Sequence, residues 1–172
     1  MARFKDGVKG AAIDNEAWRA FAGDPKPKAR KKGVKGISDA RFLEVLDEVK
    51  EKLAAGAWGT ATGIHFVALF ADLYFRVYQV APDDLSRPPE RAFATKLAND
   101  MLRGDFAGDA DAMAKFVAWT WTRERRTEAW RREDPVARSG RRLSWRVQFS
   151  RAILSDFRVA EARAKATKKE AR

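Results

Sequence analysis

Four residues near the C-terminus combine the two side-chain types that bind nucleic acid. Trp119, Arg123, Arg126 and Trp130 follow one another at i, i+4, i+7 and i+11, which places them on one stripe of a helix. Arginine neutralises phosphates and releases their counterions, and an exposed indole stacks on an unpaired base for roughly 1–3 kcal/mol. The stripe is therefore a candidate for phosphate contact, with Trp119 and Trp130 as candidates for base stacking.

A second interpretation of this stripe stays open. The two tryptophans can belong to the core instead, with the arginines lying over them and pairing with neighbouring glutamates. Exposure of the indoles distinguishes the two interpretations.

More arginines follow the stripe along the chain. The segment 138–146 joins Gly140 and two serines to several arginines, a composition typical of a phosphate-binding turn, although no P-loop motif occurs anywhere. Arginine rather than lysine suits bidentate contacts to phosphate. The predicted nucleic-acid-binding residues are Arg123, Arg126, Trp130, Arg131, Arg138, Arg141, Arg142, Arg146 and Arg151.

The net charge of +11 is divided unevenly along the 172 residues. Residues 1–36 hold 10 Lys/Arg and 4 Asp/Glu, residues 37–118 hold 9 and 13, and residues 119–172 hold 16 and 7. A slightly acidic middle is thus flanked by two basic ends. This segregation favours a polyanion-binding surface over a solvated face with mixed charges or a surface for an acidic protein.

The first 36 residues are expected to form a flexible tail, because glycines, prolines and lysines dominate them. An amphipathic island at 13–22 interrupts this composition. The island is predicted either to fold back onto the domain or to dock as a short helix on a protein partner. The tail residues assigned to partner binding are Trp18, Phe21, Lys26, Lys28, Arg30, Lys31 and Lys32.

Enzymatic chemistry finds little support in the composition. The chain has no Cys and one His, which excludes thiolate zinc sites, iron–sulfur clusters and cysteine nucleophiles. His65 is expected to be a core or capping histidine, and Asp105, Asp109 and Asp111 do not match a calcium-binding loop. We expect no catalytic residues, no metal and no cofactor.

Periodic apolar residues predict an all-α fold, a single bundle of about five helices. The predicted helices are 39–55, 64–80, 88–103, 110–133 and 151–167. Helix 64–80 is apolar nearly all round, so it should lie at the centre of the bundle. The domain is predicted to span 37–167, with a frayed basic C-terminus and a disordered end at 168–172.

Several residues that should position these helices are identifiable. Ser38, Asp109 and Ser150 are predicted N-caps. Phe93, Leu97 and Met101 are the predicted core residues of helix 88–103. Apolar residues alternate with polar ones in one further segment, which predicts a short extended piece carrying Leu143, Trp145, Val147 and Phe149.

The C-terminal part also resembles a known group of proteins. The segments Trp119-Thr-Trp-Thr-Arg-Glu-Arg-Arg, Arg141-Arg-Leu-Ser-Trp-Arg-Val-Gln-Phe-Ser and Phe157-Arg-Val-Ala-Glu-Ala-Arg-Ala are similar to small basic helical proteins encoded by bacteriophages and prophages. Most of these proteins are uncharacterised, and some are associated with DNA replication or recombination modules. The resemblance implies a nucleic-acid accessory role and transfers no residue roles.

These observations predict a non-enzymatic nucleic-acid-binding accessory protein, of phage or replication type. Its expected partner is DNA, single- or double-stranded, in preference to RNA. The alternative is a protein–protein adaptor or assembly component that docks through its N-terminal tail. Because the start lacks a secretory signal and no run reaches the ~18 apolar residues of a membrane span, a cytoplasmic location without membrane contact is expected.

Overall fold

The computed structural model describes residues 36–133 and 142–170, with side chains at 36–123 and 142–167. This part of the chain is helical and contains no strand, which confirms the all-α prediction. Its helices are α1 (Asp39–Ala55), α2 (Gly63–Tyr78), a 3-10 turn (Asp83–Leu85), α3 (Pro88–Gly104), α4 (Ala110–Glu133), α5 (Trp145–Gln148) and α6 (Arg151–Glu170).

Helix α2 forms the centre of the fold, as its apolar sequence predicts. It packs against α1, α3 and α4, and nearly all of its side chains are buried. At one end the backbone N–H of Gly63 donates to Asn99 Oδ1 on α3 at 2.7 Å. A Cβ at Gly63 would collide with the backbone of Thr95, so glycine permits this close approach of the two helices.

Aromatic rings fill the space between α2 and α4. Trp121 is completely buried. The centroid of its ring lies 5.3 Å from that of Phe70 and 5.9 Å from that of Tyr74. Such tilted and edge-to-face pairs add about 0.5–1.5 kcal/mol each beyond their buried area. The inner face of α4 is formed by five buried side chains, Met113, Phe116, Val117, Thr120 and Trp121.

The three predicted N-caps are confirmed. Ser38 Oγ accepts from the N–H of Arg41 at 3.3 Å, and Asp109 Oδ1 accepts from the N–H of Ala112 at 2.8 Å. Ser150 Oγ accepts from the N–H of residue 153 at 3.4 Å. Each cap satisfies a backbone donor that a helix start leaves unpaired.

The predicted core face of α3 is wrong at two positions. Phe93 and Leu97 are exposed, at 55% and 37%, whereas Ala94 and Ala98 are completely buried against the core. The reason is the close approach of α2 and α3, which leaves room for methyl groups but not for larger side chains. Met101 is buried as predicted.

The extended piece predicted over Leu143–Phe149 is also wrong, because Trp145–Gln148 form a helical turn. Ser144 Oγ accepts from the N–H of Val147 at 3.4 Å, which caps this turn. The residues at 143, 145 and 149 are buried and Val147 is exposed, so alternation gave the inward positions of three residues but not the backbone.

The chain ends differ from the prediction or lie outside the described residues. Helix α6 continues through Glu170, so part of the predicted disordered end at 168–172 is helical. The N-terminal tail, residues 1–35, and its predicted island lie outside the part of the chain that the structure describes. No helix within that part is both long and apolar enough to span a bilayer.

Candidate nucleic-acid interface

We call residues 142–146 the strap. They follow the first part of the arginine-rich segment and include the first two residues of α5. Two backbone hydrogen bonds fix the strap to the core. The N–H of Leu143 donates to Tyr78 Oη at 3.1 Å in a buried position, and the N–H of Trp145 donates to Asp84 Oδ2 at 3.2 Å. The end of α2 and the 3-10 turn therefore hold this part of the chain in place.

Both arginines of the strap reach the surface from this anchored backbone. The guanidinium of Arg142 lies over the ring of Tyr78, 5.5 Å from its centroid. That of Arg146 lies 4.4 Å from the centroid of Trp145 and forms an ion pair with Glu90 of α3 at 2.6 Å. Contact with an aromatic face orients a guanidinium while its N–H edge stays accessible to a second partner.

Asp84 and Tyr74 are electrostatically perturbed beside the strap. Burial raises the pKa of the Asp84 carboxyl above its ordinary value, while the N–H of Trp145 and the charge of Arg146 act in the opposite direction. Burial likewise raises the pKa of the Tyr74 hydroxyl, and a hydrogen bond from Arg142 opposes that effect. A desolvated carboxylate that accepts a backbone N–H is thus an internal anchor for the strap.

The short helix α5 joins the strap to α4. Gln148 is completely buried, and its Nε2 donates to Thr120 Oγ1 of α4 at 3.2 Å. Arg146 precedes Gln148 by two residues, and Arg123 follows Thr120 by three. This contact therefore brings the elements that carry two predicted site arginines next to each other.

Two more arginines of the C-terminal part bridge helices on the surface. Arg123 of α4 pairs with Asp156 of α6 at 2.8 Å. Arg158 of α6 donates to the carbonyl oxygen of Asp105 at 3.0 Å. Both guanidinium groups are more than half exposed.

The surface ion pairs of Arg123 and Arg146 are weak in energetic terms. An exposed pair of this kind typically contributes about 0–1 kcal/mol. A phosphate can therefore replace the carboxylate at small cost. The ion pair of Arg123 with Asp156 is thus compatible with phosphate binding.

Of the two stacking candidates, Trp119 is the one whose side chain is described. It is half-buried, and its ring meets that of Phe157 on α6 at an angle of 60° with centroids 5.5 Å apart. Trp119 therefore packs between α4 and α6 with part of its indole exposed. The stacking role stays a prediction.

The other predicted site residues divide into two groups. Arg151, the first residue of α6, is exposed. The remaining residues have side chains outside the described part of the chain, and these are Arg126, Trp130, Arg131, Arg138, Arg141, Trp18, Phe21, Lys26, Lys28, Arg30, Lys31 and Lys32.

Sequence reasoning did not identify the two groups that anchor the strap. These groups are the carboxylate of Asp84 and the hydroxyl of Tyr78. The available signal was an acidic pair directly after Pro82, in a break that follows a tyrosine-containing helix end. Neither feature indicates a partner 60 or more residues away.

The chemistry expected for the other polar candidates agrees with their contacts. His65 caps α2, since its Nδ1 accepts from the N–H of Thr62 at 3.0 Å and its Nε2 contacts Glu48 at 2.8 Å. Asp109 is an N-cap, and Asp111 accepts from the N–H of Trp58 at 3.2 Å. Among the residues that the structure describes, no group of three or more His, Asp or Glu side chains is arranged to hold a metal ion.

Comparisons with protein-family models, with curated proteins and with solved structures found no match to this chain.

Proposed function

We propose that this chain is a non-enzymatic, cytoplasmic nucleic-acid-binding protein that contacts phosphates through its arginine-rich C-terminal part. The observation that carries the proposal is the anchored strap, whose two arginines are exposed while its backbone is hydrogen-bonded to Tyr78 and Asp84. A segment fixed in this way loses little conformational freedom on binding. The entropy cost of ordering it therefore offsets less of the free energy gained from phosphate contacts. The 16 Lys/Arg against 7 Asp/Glu of residues 119–172 add attraction for a polyanion.

In this mechanism phosphates replace carboxylates on exposed guanidinium groups. Arg146 would exchange Glu90 for a phosphate, and Arg123 would exchange Asp156. Each exchange releases counterions from the nucleic acid, which supplies a favourable entropy at low salt. Arg142 and Arg151 extend the surface on either side of α5.

DNA, single- or double-stranded, is the proposed partner. Because Trp119 packs on Phe157, phosphate contact rather than base stacking is assigned the larger share of the affinity. Trp130 remains the second candidate for stacking on single strands. The resemblance to phage-encoded basic proteins supports an accessory role in replication or recombination.

A charge-matched pair of variants tests the proposal. Arg142→Ala with Arg146→Ala removes both strap guanidinium groups, whereas Arg103→Ala with Lys115→Ala removes two exposed cations from the acidic middle of the chain. Fluorescence anisotropy with labelled single- and double-stranded oligonucleotides measures both affinities at one low salt concentration. The strap variant should bind about tenfold or more weakly than the control, since each charge-assisted contact contributes roughly 1 kcal/mol or more.

Equal losses in the two variants would contradict a role for the strap and leave only non-specific attraction. Absence of binding by the unaltered chain would contradict the function itself. The adaptor function would then take its place, and a protein partner retained after nuclease treatment of a purified complex would support it.

A further inference from the structure

The solvent face of α3 carries an apolar pair. Phe93 and Leu97 lie one turn apart and are 55% and 37% exposed. The other large hydrophobic side chains exposed in the described part of the chain lie singly on other segments, at Val80, Val147 and Val159. Among those residues, α3 is thus the helix that presents two such side chains on one face.

The described chain begins beside the same helix. The N–H of Ile37 donates to the carbonyl oxygen of Pro88, the first residue of α3, at 3.1 Å. The buried Arg91 of α3 also donates to the carbonyl oxygen of Ile37 at 3.2 Å, so residue 37, the entry point of the chain, is held against α3 by two hydrogen bonds. A Cβ at Gly36 would collide with Pro88, so the backbone runs directly against the start of α3.

The distances along α3 are short compared with the length of the N-terminal segment. At 1.5 Å per residue, Phe93 lies about 8 Å and Leu97 about 14 Å along the helix from Pro88. The 13 residues 23–35 separate the entry point from the apolar island at 13–22. The r.m.s. span of about 20 Å for a chain of that length exceeds both distances, so 13 residues suffice to bring the island to either side chain.

We propose that the island 13–22 of the same chain docks on Phe93 and Leu97, with Trp18 and Phe21 as its contacting side chains. Tethering on a short linker gives an effective concentration on the order of 1 mM, so even a contact of millimolar affinity is half formed. Covering two exposed apolar side chains with two aromatic ones supplies the hydrophobic energy.

Phe93 and Leu97 lie on α3, away in sequence from the arginines assigned to phosphate contact, so docking of the island and nucleic-acid binding are tested separately.

A spin label tests the docking in the full-length protein. Because the chain has no cysteine, Lys96→Cys provides a single attachment point for a nitroxide on the exposed side of α3. The indole N–H resonance of Trp18, assigned with Trp18→Phe, should lose about half or more of its intensity relative to the reduced label. Adding Phe93→Ser and Leu97→Ser should restore it, and adding Val159→Ser, the matched control, should leave it broadened.

Phe21→Ser is an independent variant outside the described domain, and it should also restore the Trp18 resonance. An unbroadened Trp18 resonance in the label-only protein would overturn the proposal. Broadening of a label-free, isotope-enriched chain by a spin-labelled chain in a mixture would overturn it too, since the occupant would then be a second copy.

Discussion

Arg91 is the residue that ties the start of the described chain to α3. Its guanidinium is completely buried and donates to the carbonyl oxygens of Leu85, Ser86 and Ile37, and it forms an ion pair with Asp39. A buried cation is tolerated when its donors are all directed at acceptors. Arg91 therefore stabilises the fold, whereas the described arginines of the C-terminal part, such as Arg142 and Arg146, are exposed.

Arg91→Ala should lower the free energy of unfolding by about 3–5 kcal/mol, because it leaves buried carbonyls and a carboxylate without their partner. Arg103→Ala, at an exposed position of the same helix, should change it by less than about 0.5 kcal/mol. Urea denaturation followed by circular dichroism measures both. A loss at Arg91 no larger than that at Arg103 would contradict the buried role.

The pair formed by Glu48 and His65 predicts a pH dependence of stability. The N–H of Thr62 donates to Nδ1 of His65, so Nε2 carries the proton that is donated to Glu48. This hydrogen bond, opposed by burial and supported by Arg41, lowers the pKa of Glu48 below 4.5. The contribution of the Glu48 carboxylate to the free energy of unfolding is therefore present above pH 4.5, and it is lost as the pH falls through the lowered pKa.

Glu48→Gln should accordingly flatten the acid limb of the curve of Tm against pH below 4.5. Glu51→Gln, an exposed carboxylate on the same helix, serves as the control and should leave the slope unchanged. Thermal melts at several acidic pH values measure the slope of Tm against pH. Identical slopes for both variants would refute the contribution assigned to Glu48.

At the scale of elements, the sequence predicted what depends on local periodicity and missed what depends on close packing. The caps Ser38, Asp109 and Ser150 and the central position of α2 follow from local signals, and they are confirmed. The outward position of Phe93 does not follow, because it results from the approach of α2 to α3 through small residues.

In the candidate site, too, local features were predictable from the sequence and long-range contacts were not. The arginines of the strap were identifiable from composition, whereas its anchors, Tyr78 and Asp84, lie about 60 residues away in sequence. The alternation over 143–149 indicated which side chains turn inward, but a capped helical turn satisfies that pattern as well as a strand does. Long-range partners of backbone N–H groups leave no periodic trace in a sequence.

Asp84→Ala should loosen the strap, because the N–H of Trp145 loses its acceptor, at a cost of about 1–3 kcal/mol. Amide hydrogen exchange at Trp145 should accelerate, and oligonucleotide affinity should fall. Asp84→Asn retains an acceptor oxygen and should restore slow exchange. Unchanged exchange at Trp145 in the alanine variant would show that the strap is held by other contacts.

At the scale of the whole molecule, the proposed function depends on the segregation of charge along the chain. The middle of the chain, 37–118, carries an excess of four acidic residues, and 119–172 carry an excess of nine cations. Two exposed arginines of the latter part, Arg123 and Arg146, are paired with carboxylates of neighbouring helices. Each ion pair orients its guanidinium group at the surface but contributes little free energy to stability, so little is lost when a phosphate replaces the carboxylate.

Removing a competing carboxylate should therefore strengthen binding. Asp156→Asn withdraws the described carboxylate partner of Arg123 and should raise oligonucleotide affinity about two- to fivefold, the equivalent of a surface ion pair. Glu51→Gln removes the same charge from α1 and should have a smaller effect. Equal gains would attribute the change to net charge alone.

The salt dependence of oligonucleotide binding by the unaltered chain tests whether its arginines bind nucleic acid through phosphates. Fluorescence anisotropy over a salt series gives the slope of log K against log[salt], about −0.9 per phosphate contact for duplex DNA. Contacts from Arg123, Arg142, Arg146 and Arg151 alone predict a slope of about −3.6 or steeper. A slope near zero, or no binding at low salt, would contradict a function based on arginine–phosphate contacts.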